Sequence, residues 1–252
     1  MVEKIRWGEM NRWELEQRAE VVDTTILPIG SLEQHGPHLP LDTDSYDAEH
    51  LVEEAVRRLE TPKPVILPTI PYGVSDHHMG FPGTVTVASK TLEDLIVDVG
   101  RSVIRHGFRK FFILTGHGGN EAAVKTAARR LKKETGMDVF MDSFDLMDPE
   151  KGELVESEND EHAGEFETSL VLAVREELVD ERTIPEKEME FPDPKLEFDH
   201  EPDFSFTWNT HDLTSTGVLG DPTKASREKG EKLWEAGTER LKERIKVVMD
   251  IG

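Results

Sequence analysis

The sequence predicts an α/β protein, a sandwich with a mainly parallel central sheet. Two observations lead to this prediction. Short apolar runs rich in β-branched residues alternate with longer amphipathic runs along most of the chain. The chain has 252 residues, enough to bury a sizeable core in one large domain or two small ones, and of these we expect a single domain over residues 1–252.

Four apolar runs have the length and composition of buried strands. They are residues 24–30 (TTILPIG), 64–70 (PVILPTI), 110–116 (KFFILTG) and 137–144 (MDVFMDSF). Each of the first three is followed by a polar or glycine-rich loop and then by a longer run with helical spacing. This order indicates a parallel sheet, because parallel neighbours need a crossover connection that is usually a helix.

Five amphipathic runs indicate helices. They are residues 45–60, 91–107, 121–136, 165–179 and about 224–249. Asp44 or Ser45 is placed to cap the first helix, and Thr91 is the expected N-cap of the second. Gly107 is the expected C-terminal stop of the second helix, because glycine tolerates the left-handed backbone found at that position.

Residues 180–222 interrupt the alternation. They contain five prolines, many acidic residues and isolated aromatic residues such as Phe204, Phe206 and Trp208. A segment of this length is too long for a simple connection in a compact domain. Since a predicted helix follows it, we interpret it as a lid, an oligomer contact or an irregular excursion rather than as a linker.

Composition excludes several classes of function. The chain has 52 acidic and 30 basic residues, a formal net charge of −22, which disfavours nucleic acid and anionic membranes as partners. It has no cysteine, so disulfides, thiolate metal sites and cysteine nucleophiles are excluded. The first twenty residues lack an apolar signal region, and no apolar stretch is long enough to span a bilayer. We therefore expect a cytoplasmic protein.

Histidines and carboxylates cluster at the predicted strand ends. Glu33 and His35 follow the first strand, His77 and His78 the second, and His117 the third, while Glu161, His162 and Glu167 lie at the start of a core helix. Because the carboxyl ends of parallel strands meet at one edge of a sheet, we expect these clusters to meet there.

These residue types indicate a metal site. Imidazole and carboxylate are the usual ligands of Zn²⁺, Mn²⁺ or Fe²⁺ where thiolate is absent. Residues two apart in an extended segment project to the same side, so Glu33 and His35 can address neighbouring ions. A carboxylate such as that of Asp44 can bridge two ions, which together activate a hydroxide and polarise a carbonyl.

Each cluster taken alone also has a purely structural interpretation. GHGGN (116–120) could be a tight turn before a helix, and SDHHMG (75–80) an ordinary polar loop. Single loop histidines are more often surface or hydrogen-bonding residues than ligands, and we interpret four of the ten that way: His50, His106, His200 and His211. The occurrence of three clusters at three successive strand ends favours the metal site.

Five motifs resemble those of the creatininase family. They are GSLEQHGPHLPLDTD (30–44), YGVSDHHMGFPGT (72–84), LTGHGGNE (114–121), EHAGEFETS (161–169) and TGVLGDPTKAS (216–226), and they occur in the family's order. The resemblance implies a three-layer α/β/α sandwich, two divalent metal ions per chain, hydrolysis of non-peptide C–N bonds and a homo-oligomer that is often a hexamer.

The resemblance also implies a set of metal ligands. Glu33 and His117 resemble ligands of the first metal, His35 a ligand of the second, and Asp44 the carboxylate that bridges them. Creatininases proper carry a further glutamate two residues after the histidine that matches His117, whereas this chain has Gly119 there. Either Glu167 completes the second site or the second ion is held more weakly. His38 and Asp42 are expected to shape the loop.

Other residues resemble the family's catalytic and substrate-binding positions. His162 matches the histidine proposed to move protons beside the metals, and Glu161 lies next to it. Ser75, His78 and Thr84 lie in the loop that borders the substrate pocket.

The sequence therefore leads to one main hypothesis and two alternatives. The main hypothesis is a dinuclear amidohydrolase that cleaves a non-peptide C–N bond of a small cyclic amide or formamide through a metal-bound hydroxide. Its ions would be zinc, manganese or iron, and creatinine itself is disfavoured by the change at Gly119. One alternative is a deformylase of 2-amino-5-formylamino-6-ribosylaminopyrimidin-4(3H)-one 5'-monophosphate, which acts in archaeal flavin and deazaflavin synthesis. The other is a non-catalytic, metal-binding oligomeric family member.

Overall fold

A computed structural model describes residues 3–198 and 206–251, so His200 and Phe204 lie outside the described residues. Within these ranges, four parallel strands form one sheet in the order β2–β1–β3–β4. The strands are β1 (Thr24–Ile29), β2 (Val65–Ile66), β3 (Lys110–Thr115) and β4 (Asp138–Ser143). The predicted parallel α/β sheet is confirmed. Strand β2 is shorter than expected. After it, Pro68 has no N–H to donate to the sheet, and Ile70 forms an isolated parallel bridge with Ile29.

Helices flank the sheet. They are α1 (Arg12–Ala19), α2 (Thr43–Arg57), α3 (Ser89–Arg105), α4 (Glu121–Thr135), α5 (Asp148–Leu154), α6 (Glu165–Val174), α7 (Thr210–Leu213) and α8 (Arg227–Asp250). The sequence had not indicated α1, α5 or α7. No helix among the described residues is both long and apolar enough to cross a bilayer.

Two predicted N-caps are wrong. Helix α2 starts at Thr43 with Asp42 as N-cap, so Asp44 and Ser45 lie inside its first turn. Helix α3 starts two residues before Thr91, where the carbonyl of Ala88 accepts the first helical hydrogen bonds. Gly107 follows α3 with a φ of 103°, which confirms it as the stop. Asp44, in the first turn of α2, is buried.

The three-layer arrangement is confirmed by two separate apolar clusters. Ile26, Phe112 and Leu114 pack on one face of the sheet against residues of α2, α6 and α8. Leu27, Phe111 and Ile113 pack on the other face against residues of α3 and α4. Successive residues of β1 and β3 thus point to opposite faces, as the pleat of a strand requires.

The strand order creates a crevice at one edge of the sheet. From β1 the chain passes to β2 on one side, while β3 lies on the other side of β1. The loops after β1 and β3 therefore diverge, and such switch points are where open α/β sheets bind ligands. The loop with Glu33 and His35 and the loop with His117 both leave the sheet here.

The described parts of residues 180–222 contain 3-10 turns and the short helix α7. The segment folds back onto the domain, since the Asp180 N–H bonds to the His38 carbonyl. Further along, Thr210 is fully buried, and Leu219 forms an antiparallel bridge with His162. This segment is therefore packed against the residues of the candidate site.

The packing of α6 against α8 depends on Gly230. A Cβ atom at this residue would lie 1.9 Å from the Ser169 carbonyl oxygen. We expect Gly230→Ala to lower the free energy of unfolding by about 1–3 kcal/mol, because the two helices must separate. Gly152 in α5 has open space at the same place, so Gly152→Ala is the matched control and should gain about 0.5–1 kcal/mol. Urea denaturation measures both; equal stability of the two variants would contradict this account.

Candidate metal centre

The crevice brings the predicted ligands together in the protein interior. Glu33 and His35 are fully buried, and Asp44 and His117 are less than a tenth exposed. Three groups of side chains have ligand atoms within 4.8 Å of one another: Glu33, Asp44 and His117; His35, Asp44 and Glu167; and Glu33, His35 and His162. Asp44 belongs to the first two groups, in a position to join them.

Three imidazoles each have one nitrogen fixed by a backbone carbonyl. The fixed contacts are His35 Nδ1 to the Glu33 oxygen (3.1 Å), His117 Nε2 to the Val74 oxygen (3.0 Å) and His162 Nε2 to the Gln34 oxygen (2.7 Å). A carbonyl only accepts, so these nitrogens carry the proton and the other nitrogen of each neutral ring has a lone pair. This is the arrangement that orients histidine ligands in metal sites.

The remaining nitrogens face carboxylates. His35 Nε2 lies 3.0 Å from Asp44 Oδ1, His117 Nδ1 3.4 Å from Asp44 Oδ2, and His162 Nδ1 3.6 Å from Glu33 Oε1. Lone pairs of imidazole and carboxylate thus converge on the same small volume. Such convergence is unfavourable unless a proton or a cation lies between the atoms.

The orphaned oxygens test whether a metal fits. In the described part of the chain, Glu33 Oε1 and Asp44 Oδ2 are buried and have no hydrogen-bond partner. Buried carboxylate oxygens without donors are costly, whereas coordination to a cation satisfies them. The donor set of imidazole and carboxylate without thiolate fits zinc, manganese or iron. The residues therefore fit a metal.

The two central carboxylates differ in their electrostatics. Burial disfavours the charged form of Glu33 and by itself would raise its pKa. Electrostatic interactions with His117, His78 and His35 outweigh the effect of burial and lower the pKa of Glu33 to about 2. Burial and the charge of Glu33 raise the pKa of Asp44 to about 7. Two ionised carboxylates side by side are therefore unfavourable in this buried cluster, and a bound cation would offset their repulsion.

Gly119 leaves no space for the missing glutamate. A Cβ atom there would lie 2.2 Å from the Val74 carbonyl oxygen and 2.5 Å from His117 Nε2. Glu167 approaches from α6 instead, with Oε2 3.7 Å from His35 Nε2. The same oxygen accepts the Ala163 N–H at 2.5 Å, and Ala163 has a left-handed backbone with φ of 51°.

The other predicted residues lie around this centre. Ser75 Oγ is 3.2 Å from His117 Nε2, and Thr84 Oγ1 accepts the Gln34 N–H at 3.0 Å. His78 is buried, with Nε2 3.3 Å from Glu33 Oε1. Glu161, in contrast, is exposed, and its backbone N–H bonds to the Leu219 carbonyl.

His38 and Asp42, which were expected only to shape the loop, contact α6 and the residue that follows it, Arg175. His38 Nε2 lies 2.9 Å from Thr168 Oγ1, and Asp42 forms an ion pair of 2.9 Å with Arg175. These contacts hold the loop that carries Glu33 and His35.

Sequence reasoning missed three buried residues of the site. Ser31 Oγ donates to Glu33 Oε2 at 2.7 Å, and Gln34 lies between the two predicted ligands Glu33 and His35. Thr210 Oγ1 is 2.9 Å from His78 Nδ1. The adjacency of Gln34 to two ligands was a usable signal, whereas nothing in residues 180–222 pointed to Thr210.

The fold and the cluster define an α/β protein with a buried imidazole–carboxylate centre at the switch point of its sheet. A family profile described as creatinine amidohydrolase matches residues 8–245. The mycofactocin precursor peptide peptidase of Mycolicibacterium smegmatis is 34% identical over 91% of this chain and 87% of its own length. The creatinine amidohydrolase of Pseudomonas putida is 28% identical over 95% of each chain. The chain belongs to the creatininase family and is an amidohydrolase of that family.

Solved creatininases share the fold. A creatininase variant of Zn-Zn type has a TM-score of 0.85 and 26% identity, covering 99% of this chain and 100% of its own. A manganese creatininase has a TM-score of 0.83 and 25% identity, with the same coverage. The deformylase of the formylaminopyrimidine nucleotide from Methanothermus fervidus is 32% identical, but over only 58% of this chain and 53% of its own length. The resemblance found in the sequence is confirmed.

Proposed function

We propose that this chain is a dinuclear metal-dependent amidohydrolase that cleaves a C–N bond of a small, uncharged cyclic amide or formamide. The observation that carries the proposal is the pair of buried, partnerless oxygens, Glu33 Oε1 and Asp44 Oδ2, facing imidazole lone pairs. One ion would be held by Glu33, Asp44 and His117, and the other by His35, Asp44 and Glu167.

The proposed chemistry divides between the ions and the protein. Bound zinc, manganese or iron would lower the pKa of water and polarise an amide carbonyl. His162 presents the lone pair of Nδ1 to the centre, while the Gln34 carbonyl holds the proton on Nε2. Burial and the neighbouring His78 and His35 lower the pKa of His162, so its neutral form can accept a proton at Nδ1. It then returns that proton to the departing nitrogen. We propose no charge relay through Glu161, since that residue is exposed.

The charges near the centre favour a substrate without phosphate. Asp42 already engages Arg175, and Lys224 contacts the Glu156 carbonyl and Asp221. A phosphate-bearing nucleotide would also enter a site lined by carboxylates in a chain of net charge −22. These observations rank the deformylase second, and the partial length of that relative's match agrees with the ranking.

A short peptide amide is a second candidate substrate. The observation that favours it is the 34% identity to a precursor peptide peptidase over 91% of this chain. The non-catalytic alternative rested on the ligand missing at Gly119. The position of Glu167 Oε2, 3.7 Å from His35 Nε2, supports Glu167 as a replacement ligand and therefore favours the catalytic proposal.

Metal analysis and a substrate panel test the proposal. We expect about two divalent ions per chain in protein purified without chelator or added metal. The panel contains creatinine, other cyclic amides, formamides, short peptides and the formylaminopyrimidine nucleotide. We expect hydrolysis of uncharged amides and little hydrolysis of creatinine. Formate release from the nucleotide alone would favour the deformylase, and no hydrolysis by fully metal-loaded protein would favour the non-catalytic alternative.

The oligomeric state implied by the family resemblance and the cellular location expected from the sequence stay predictions. We propose a homo-oligomer, a hexamer by resemblance, and a cytoplasmic location. Light scattering of the purified metal-loaded protein measures the first, and fractionation of the source cells measures the second.

A further inference from the structure

The side-chain amide of Gln34 has a fixed orientation at the floor of the site. Its Oε1 accepts the Gly36 N–H at 2.9 Å, and its Nε2 donates to the Gly217 carbonyl at 2.9 Å. Reversing the amide would set two donors against each other at one end and two acceptors at the other. The NH₂ group therefore points toward His78 and His162 and has one proton left to donate.

That proton goes to His78. Gln34 Nε2 lies 3.1 Å from His162 Nε2, but this nitrogen carries its own proton, which it donates to the Gln34 carbonyl. Gln34 Nε2 also lies 3.0 Å from His78 Nδ1. If His78 Nδ1 were protonated, two donors would face each other. His78 Nδ1 therefore accepts, and the proton of the neutral ring lies on Nε2.

Thr210 is compatible with the same tautomer. Its hydroxyl lies 2.9 Å from His78 Nδ1, and a hydroxyl can rotate so that it shares this acceptor with the Gln34 N–H in a bifurcated hydrogen bond. Thr210 and His78 are both buried, so water does not replace this contact. Two residues of the 180–222 segment thus help to position the His78 imidazole. Thr210 contacts it directly, and the Gly217 carbonyl holds the Gln34 amide that contacts it.

The Nε2–H of His78 points into the centre but has no partner there. Glu33 Oε1 is 3.3 Å away, yet among the described residues that oxygen has no hydrogen-bond partner, so the two atoms are close without being aligned. His78 is also in none of the three metal-ligating groups found in residues 3–198 and 206–251. An N–H that binds neither protein nor metal is available to a substrate.

We propose that His78 is a further catalytic residue, a neutral imidazole whose Nε2–H donates a hydrogen bond to the substrate carbonyl oxygen, with Gln34 and Thr210 as positioning residues. The inference rests on the proposed function. The carbonyl oxygen gains negative charge as the carbon is attacked, and a donor fixed in advance stabilises that charge without reorganising. A neutral imidazole is suited to this task because it donates without competing for the metals.

Nitrogen NMR tests the tautomer without any substrate. Protein labelled with ¹⁵N-histidine and loaded with zinc, which is diamagnetic, gives signals for the ten histidines, and His78→Gln identifies that of His78. We expect a protonated Nε2 and an unprotonated Nδ1. A proton on Nδ1, or a zinc-bound Nε2, would overturn the inference. This outcome does not depend on whether any amide is hydrolysed, so failure of the proposed function remains distinguishable.

Kinetics test the role of the N–H. The best amide of the panel is the substrate. We expect His78→Ala to lower kcat about 10²–10³-fold with little change in KM and unchanged zinc content. His78→Gln places an amide N–H near the same position and should recover part of kcat. Loss of zinc from both variants would instead make His78 a ligand and overturn the inference.

Variants of Thr210 test the positioning role. Thr210→Val removes the hydroxyl at nearly constant volume and should lower kcat more than it raises KM, whereas Thr210→Ser should retain activity. Thr126 is an exposed threonine of α4, and Thr126→Val is the matched control, expected to behave as the unmodified protein. An unchanged kcat and an unchanged His78 signal in Thr210→Val would exclude Thr210 as a positioning residue.

Discussion

We expect the His117→Ala protein to bind about one divalent ion instead of the proposed two and to lose nearly all turnover, with kcat lower by about 10³-fold or more. His117 Nδ1 faces Asp44 Oδ2 at 3.4 Å, and the Val74 carbonyl holds the proton on the opposite nitrogen. Alanine removes the lone pair that completes the group of Glu33, Asp44 and His117. Asp44 Oδ2, which is buried and has no hydrogen-bond partner in the described part of the chain, then also loses the imidazole nitrogen that it faces.

Metal content and rate must be measured on the same His117→Ala preparation. Inductively coupled plasma analysis gives ions per chain, and the best amide of the panel gives kcat. His106→Ala is the matched control, because His106 is exposed at the end of α3 and is expected to change neither quantity. Normal turnover with an unchanged metal content in His117→Ala would refute the assignment of this histidine.

Most of the fold could be predicted because its signals are local. The runs that form β1 and β3 have apolar centres rich in isoleucine, leucine and phenylalanine, and every residue of both strands is buried. The stop of α3 was readable because Gly107 takes a positive φ. The N-caps of α2 and α3 could not be predicted from the sequence, because neither helix start has a side-chain cap hydrogen bond. At α2 the Thr43 hydroxyl donates to the Pro40 carbonyl, and at α3 the Ala88 carbonyl accepts the first helical hydrogen bonds.

The site was predictable to the extent that ligands stand at strand ends. Parallel strands carried Glu33, His35 and His117 to one edge, as the spacing indicated. The position of Glu167 relative to His35 could not be read in the same way. It depends on how α6 packs and on the left-handed backbone of Ala163, neither of which has a sequence signal. Contacts from residues 180–222, such as that of Thr210 with His78, depend on tertiary packing alone.

The proposed second ion would take a different ligand from the one in creatininases proper, with Glu167 replacing the glutamate that is missing at Gly119. Glu167 Oε2 is 3.7 Å from His35 Nε2, and both belong to a group with Asp44. We expect Glu167→Gln to reduce the metal content from about two ions per chain to about one and to lower kcat/KM about 10²-fold or more. The amide keeps the volume of the carboxylate but removes the charge that holds the ion.

A second variant separates ligand loss from general disturbance. Glu231→Gln, at an exposed site on α8, makes the same chemical change and should leave metal content and rate unchanged. Introducing glutamate at position 119 into the Glu167→Gln protein should fail to restore the ion, because a Cβ atom there would lie 2.2 Å from the Val74 carbonyl oxygen. Two ions per chain in Glu167→Gln would exclude Glu167 as a ligand. Restoration by Gly119→Glu would instead show that the loop after β3 can move enough to accept the ligand of creatininases proper.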